Sequence, residues 1–203
     1  MITHVFLVRH GLAERGGGCA VGHLDPPLSD EGAASVRRLA ASWQGPPPDA
    51  VFASDLRRAS ETARLLAEAW GLSVEAVEAD ARLREMSFGE WEGRPWKEIE
   101  TADAARFAAW SGSWWSARAP GGEGYPDLAS RVQDWLTDLL AGPPGRTVVA
   151  VAHDGSIRAL LAQAGDLPRE KIFHLQLDHA HVSGIFGNKV LFVNAARFPA
   201  TPI

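Results

Sequence analysis

Two apolar runs in this chain end in the same way. Val5, Phe6, Leu7 and Val8 lead into Arg9, His10 and Gly11, and "VVAVA" leads into His153, Asp154 and Gly155. An imidazole near its unperturbed pKa of ~6.5 can act as a nucleophile, a proton carrier or a ligand. One histidine at a strand end is most often a satisfied polar residue. Two matching endings on neighbouring parallel strands bring both imidazoles to one rim. The glycines after them let a ligand approach the backbone closely. A helix starting near Gly155 aims its N–H groups at the same rim, which favours an anion.

The arginines extend that pattern. Arg9 precedes the first histidine, and "ASDLRRASETA" places Arg57 and Arg58 at a helix start, where a cation opposes the helix dipole. A solvated arginine explains Arg57 well, whereas Arg58 has an equal claim to solvent or to a bound anion. Guanidinium forks match phosphate oxygens. Two histidines, two arginines and a helix N-terminus together describe a phosphate pocket.

The elements that must position these residues alternate in type. Residues 3–9 read as a buried strand, and "RGGGCAVGHLDPP" as a loop. Ser29 caps a helix expected to run to about Gln44, stopped by "GPPP". "DAVFAS" is a second strand, followed by a helix from about Leu56 to Trp70, and "LSVEAVE" reads as an edge strand. Residues 84–122 are irregular, with a Trp-rich helical patch near 95–116. Leu128, Val132, Trp135, Leu136 and Leu139 keep helical spacing over 126–141. "RTVVAVAH" is another buried strand and "GSIRALLAQAG" the helix after it. "IFHLQLD", "HVSGIFG" and "KVLFVN" read as three closing strands with hairpin spacing. No internal repeat is present. This alternation predicts an α/β fold, a three-layer α/β/α sandwich around a mostly parallel central sheet. In such sheets ligands bind beyond the carboxyl ends of the strands, where both histidines lie.

Composition narrows the function classes. The chain has 203 residues, 46% of them hydrophobic, which suffices for one core and predicts one domain over 1–203. A net charge of −5 with scattered basic residues argues against a nucleic-acid partner. No apolar run approaches the ~18 residues of a membrane span, and the N-terminus does not read as a secretory signal. Cys19 is the single cysteine, which excludes a disulfide framework and fits a reducing compartment. A cytoplasmic protein is therefore expected. Lys97, Lys171 and Lys189 are the only lysines among 20 basic residues, and this arginine bias hints at a GC-rich, bacterial genome.

Six motifs, in order, resemble one family, the histidine phosphatase superfamily, also called phosphoglycerate mutase-like. They are "LVRHG", "HLDPPLSDEG" with Gly22 just before it, "SDLRRASETA", "LREMSFGEWEG", "PGGEGYPDLASRV" and "VAHDGSIRALL". The resemblance implies roles. His10 would attack phosphorus and become a phosphohistidine. Arg9, Arg58 and His153 would surround the phosphoryl group. Glu85 would protonate the leaving oxygen and then activate water. Asp154, Arg15 and Gly22 would line the phosphate site, and no metal or other cofactor is implied. Residues of about 84–125 would form an inserted lid.

The chain departs from the family pattern after "RHG". Members often carry "E-[ST]-x-x-N" there, and this chain has Leu12, Ala13, Glu14, Arg15 and Gly16, so either Arg15 replaces the asparagine or the loop is reordered. Mutases of the family usually carry basic and tyrosine residues after the acid glutamate. Met86, Ser87 and Phe88 are neutral, which favours hydrolysis of a small phosphate ester over a mutase, and "FGEWEGRPWKEIE" and "PGGEGYPDL" resemble α-ribazole-phosphate phosphatases and broad-specificity relatives, which implies α-ribazole 5′-phosphate as one substrate. An inactive binding module of the same fold is the third reading. Trp110, Trp114 and Trp115 are expected either to line a lid or to pack in a core or homodimer interface. Asp178, His179 and His181 lack a third strong ligand nearby, so a turn is expected there rather than a metal site.

Overall fold

The computed structural model describes residues 3–14, 18–187 and 189–199. Arg15 and Gly16, part of the departing loop, lie outside the described residues.

Six strands form one sheet: β1 (His4–Arg9), β2 (Ala50–Ala53), β3 (Val77–Ala79), β4 (Thr147–Ala152), β5 (Val182–Phe186) and β6 (Lys189–Ala195). Their order is β3-β2-β4-β1-β5-β6. β3, β2, β4 and β1 run parallel, and β5 and β6 close the sheet as an antiparallel hairpin. The central strands β1 and β4 are apolar without alternation because both of their faces are covered. Val5, Leu7, Val148 and Ala150 pack under α5 (Tyr125–Ala141) and α6 (Asp154–Ala164). Phe6, Val8, Val149 and Val151 face the other way, against α1 (Asp30–Ala41) and α2 (Arg57–Ala69). This is the expected three-layer sandwich.

Several local expectations were adjusted. The Ser29 hydroxyl accepts from the Gly32 N–H at 3.0 Å and starts α1 as predicted. The helix ends at Ala41 rather than near Gln44 because the Ser42 hydroxyl bonds the Leu39 carbonyl and Trp43 turns in to pack on Phe6, Trp70 and Phe198. β3 is an edge strand, shortened by a 3-10 turn over Val74–Ala76. "IFHLQLD" is not a strand. Its carbonyls are claimed by side chains: those of Ile172 and Leu175 by Arg158 and that of Leu177 by Arg9, while the Asp178 N–H goes to Asn194. A backbone satisfied in this way has no need of a ladder. The segment instead begins as a short helix, α7 (Arg169–Ile172).

Between β3 and α5 lie two short helices, α3 (Trp96–Ala102) and α4 (Ala104–Gly112). They enclose a separate small core of Ala20, Trp91, Ile99 and Ala119, bordered by Phe88, Trp96, Phe107 and Trp110. Among the described residues no helix is long and apolar enough to cross a membrane.

Candidate active site

Strand register builds the centre of the site. β1 pairs with β4 so that Arg9 lies opposite Ala152, and the next residues are His10 and His153. The His10 N–H extends the ladder to the Ala152 carbonyl at 3.0 Å. The two imidazole rings lie 4.9 Å apart. His10 is 7% exposed and His153 is fully buried. His10 Nδ1 lies 2.7 Å from the Gly11 carbonyl. A carbonyl only accepts, so Nδ1 carries the proton and Nε2 presents its lone pair. Burial, reinforced by Arg58, holds the His10 pKa well below the ordinary imidazole value. Burial and the neighbouring His10 do the same to His153, whose ring nitrogens have no protein partner. Both rings are neutral before an anion enters.

Arg58 and Arg57 separate cleanly. Arg58 is 2% exposed, and its guanidinium donates to the carbonyls of Leu24 and Gly22 at 2.7 and 2.8 Å. Gly22 needs its lack of a side chain. Its φ is +51°, and a Cβ would fall 2.4 Å from the Glu92 carboxylate. Arg57 points to solvent and pairs with Glu61 at 2.6 Å. The dipole at this helix start is answered by Asp25, which accepts the Arg57 N–H at 2.5 Å.

Arg9 is anchored by the Leu177 carbonyl and by Asp154, 3.3 Å away. Asp154 is in turn gripped by Arg158, with contacts of 2.5 and 3.1 Å. The Asp154 carboxylate therefore positions Arg9 from behind. The start of α6 also differs from expectation. The Gly155 N–H donates to the Glu85 carboxylate, 3.1 Å from each oxygen, instead of opening onto the rim. A Cβ on Gly155 would sit 2.3 Å from Glu85 Oε1, so the contact requires glycine.

Glu85 is fixed by its neighbours. Oε1 accepts from the Met86 N–H at 2.8 Å. The Glu85 carbonyl accepts from Arg131 and His23 at 2.8 and 2.9 Å, and Arg131 is itself paired with Glu123. Burial pushes the Glu85 pKa up, and the charge of Asp154 pushes the same way. A carboxyl group so placed can hold a proton and release it.

Arg9, His10, Gly22, Arg58, Glu85, Asp154 and His179 line one pocket. His179 is the residue that sequence reasoning missed. Its ring lies 5.2 Å from that of His10, in the turn before β5. The available signal was "LDHAHVS" just before an apolar run, but an antiparallel strand beside β1 was needed to interpret it. His181 is turned to Asp178 instead, 3.5 Å away. No cluster of metal-ligating side chains occurs among the described residues.

A second cleft adjoins the pocket and shares Glu85, Phe88, Trp96 and Asp154 with it. Its remaining walls include Trp110, Trp114, Tyr125 and Phe173. Trp114 packs edge-to-face on Phe173 at 4.2 Å and on Tyr125 at 5.1 Å. Trp110 stacks nearly parallel to Trp96 at 5.9 Å. Trp115 lies against Trp114, away from the lining. Arg158 also borders this cleft, but its donors already serve Asp154, Ile172 and Leu175.

The chain is 31% identical over 182 residues to the adenosylcobalamin/alpha-ribazole phosphatase of Salmonella typhimurium, covering 89% of each. It is 36% identical over 172 residues to a glucosyl-3-phosphoglycerate phosphatase of Mycobacterium tuberculosis, covering 80% of this chain and 75% of that one. The crystal structure of the alpha-ribazole phosphatase from Shigella flexneri superimposes with a TM-score of 0.84 at 27% identity, over 98% of this chain and 99% of that one. The model of the histidine phosphatase superfamily (branch 1) matches residues 5–189, and the chain belongs to that family.

Proposed function

We propose that the protein hydrolyses a phosphate monoester whose uncharged alcohol half carries a flat aromatic group, through a phosphohistidine on His10. α-Ribazole 5′-phosphate, whose base is an aromatic benzimidazole, is the substrate that best fits this description. The observation that carries the proposal is the aromatic cleft that continues directly from the Glu85 wall of the phosphate pocket. A phosphoryl group held beside His10 leaves its alcohol half facing Trp96, Trp110, Trp114 and Phe173.

The geometry supports the following roles. His10 Nε2 supplies its lone pair to phosphorus while the ester P–O bond breaks. Arg9 and Arg58 face the phosphoryl oxygens, and fixed charges of this kind count for more where water is scarce, while the buried His153 ring beside His10 supplies a neutral donor or acceptor to the same group. Glu85 gives its proton to the leaving oxygen. As a carboxylate it then takes a proton from water, whose oxygen displaces His10 from phosphorus and frees inorganic phosphate. The cationic groups provide the charge neutralisation that magnesium provides in kinases.

Two features speak against phosphoglycerate as substrate, whether hydrolysed or isomerised. A carboxylate in the alcohol half needs a free cation, and Arg158 is already engaged by Asp154 and two carbonyls. The run after Glu85 is neutral. An inactive module is disfavoured by a nucleophile whose Nε2 is open and a carboxyl whose pKa is raised. Chain organisation belongs to the same proposal. We take 1–203 as one domain with 84–125 as an inserted lid, supported by the separate aromatic core of that segment. A bacterial, cytoplasmic setting is supported by the bacterial relatives and the single Cys19.

The test is a metal-free panel of α-ribazole 5′-phosphate, p-nitrophenyl phosphate and 3-phosphoglycerate. The proposal expects the two aromatic esters to lead in kcat/KM. Preference for 3-phosphoglycerate, or its isomerisation, would overturn it.

A further inference from the structure

We propose that His179 is a third imidazole of the phosphate site, one that hydrogen-bonds the bound phosphoryl group and takes up a proton as the anion enters. This rests on the phosphatase reading above and assigns a new residue to it.

The sheet order supplies the geometry. β1 lies between β4 and β5. β4 is parallel to β1, so its carboxyl end reaches the rim and delivers His153. β5 is antiparallel, so its amino end reaches the same rim and delivers His179. Both rings approach His10, at 4.9 and 5.2 Å. His10 therefore has an imidazole from each flanking strand.

The turn that carries His179 is fixed to β1. The Ala180 N–H donates to the Arg9 carbonyl at 3.0 Å, and the Arg9 N–H donates to the His181 carbonyl at 3.1 Å. Ala180 adopts φ +54°, uncommon for a residue with a side chain. Asp178 is tied to Asn194 by its N–H and by its carboxylate, at 2.7 and 2.9 Å. Backbone strain held in place by surrounding bonds is common where a side chain must be aimed.

The charges around His179 come from several elements. Arg9 and His10 face it from β1, Arg58 from α2, Asp154 from α6 and Asp178 from its own turn. Burial, then Arg9, lowers its pKa to about 4, so the ring is neutral in the empty site. A phosphate dianion shifts the balance further toward the charged ring, because it adds negative charge against Arg9 and Arg58 to that of Asp154 and Asp178.

The experiment is calorimetry of inorganic phosphate binding at neutral pH in two buffers of different ionisation enthalpy, which counts the protons taken up. The wild type is compared with His179→Asn, which keeps a donor but cannot titrate, and with His179→Ala. The wild type should take up about one proton more than His179→Asn. His179→Ala should bind phosphate about tenfold more weakly than the wild type, with His179→Asn in between. Equal proton uptake in the wild type and His179→Asn, or unchanged affinity in His179→Ala, overturns the role of His179. The phosphatase reading stands or falls separately, on turnover and phosphoenzyme formation by the wild type.

Discussion

His10 and Arg58 enter their pocket from the end of a central strand and the first turn of a long helix, and His153, at the end of the neighbouring strand, is buried beside His10. Trp96, Trp110, Trp114 and Phe173 enter the adjoining cleft from short helices and connecting turns. The first group is held by register, backbone hydrogen bonds and burial on both sheet faces. The second is held by edge-to-face and stacked aromatic contacts, and Phe173 is 53% exposed. A buried polar group deprived of its partner leaves a full desolvation cost, so the pocket responds to change almost all or none. Aromatic contacts are graded, each pair worth about 0.5–1.5 kcal/mol beyond the area it buries. In the proposed function the pocket fixes the reaction, and the cleft tunes which alcohol departs.

The largest predicted effect removes the nucleophile. His10→Ala should lower kcat on p-nitrophenyl phosphate by at least about a thousandfold, since the covalent route disappears. Residual turnover within tenfold of wild type would break the comparison at its stronger side. Next is Glu85→Gln, which should cost about a hundredfold or more in kcat on a poor leaving group. It should also alter the pH profile. In the proposed mechanism protonated Glu85 is the active form for departure, and burial raises its pKa, so wild-type activity should fall as pH rises through that raised value. Protonated His10 is inactive, and burial lowers its pKa, so the acid limb should lie below the usual ~6.5. The profile of Glu85→Gln should lose its alkaline limb and keep the acid one.

The cleft should yield smaller, selective changes. Trp114→Ala should reduce kcat/KM for an aromatic ester relative to a small aliphatic one by about tenfold. Unchanged ratios across a substrate panel would remove Trp114 from substrate selection. Smallest of all is the exposed arginine. Arg57→Ala should leave kcat/KM within about twofold, as expected for one partner of a surface ion pair. Arg58→Ala, one residue away, should cost on the order of a hundredfold through lost charge-assisted bonds to phosphate. Comparable losses in the two variants would mean that their different burial has no bearing on catalysis.

The pocket was far more legible in the sequence than the cleft. Apolar runs ending in histidine mark strand ends, and parallel neighbours bring those ends together, so His10 and His153 could be paired before any fold was known. Arg58 could not be separated from Arg57 by local signals, because burial of Arg58 depends on the carbonyls of Gly22 and Leu24, more than thirty residues away in the chain. Asp154 and Gly155 read as anion binders because their helix start was visible. Their actual partners, Arg9, Arg158 and Glu85, were not. "IFHLQLD" misled for the same reason, since its strand-like pattern carries no record of the arginines that claim its carbonyls. His179 was hidden by direction. Nothing in "LDHAHVS" shows that the following strand runs antiparallel beside β1.

The central claim is that His10 carries the phosphoryl group during turnover. Mixing the protein with substrate, quenching within the burst and mapping acid-labile, alkali-stable phosphate by peptide mass spectrometry tests it directly. The phosphoryl group should be found on the peptide holding His10, at a level that rises and decays with turnover, and should be absent in His10→Ala. Steady hydrolysis with no phosphoryl group on His10, or with the group on His153 or His179, would contradict it.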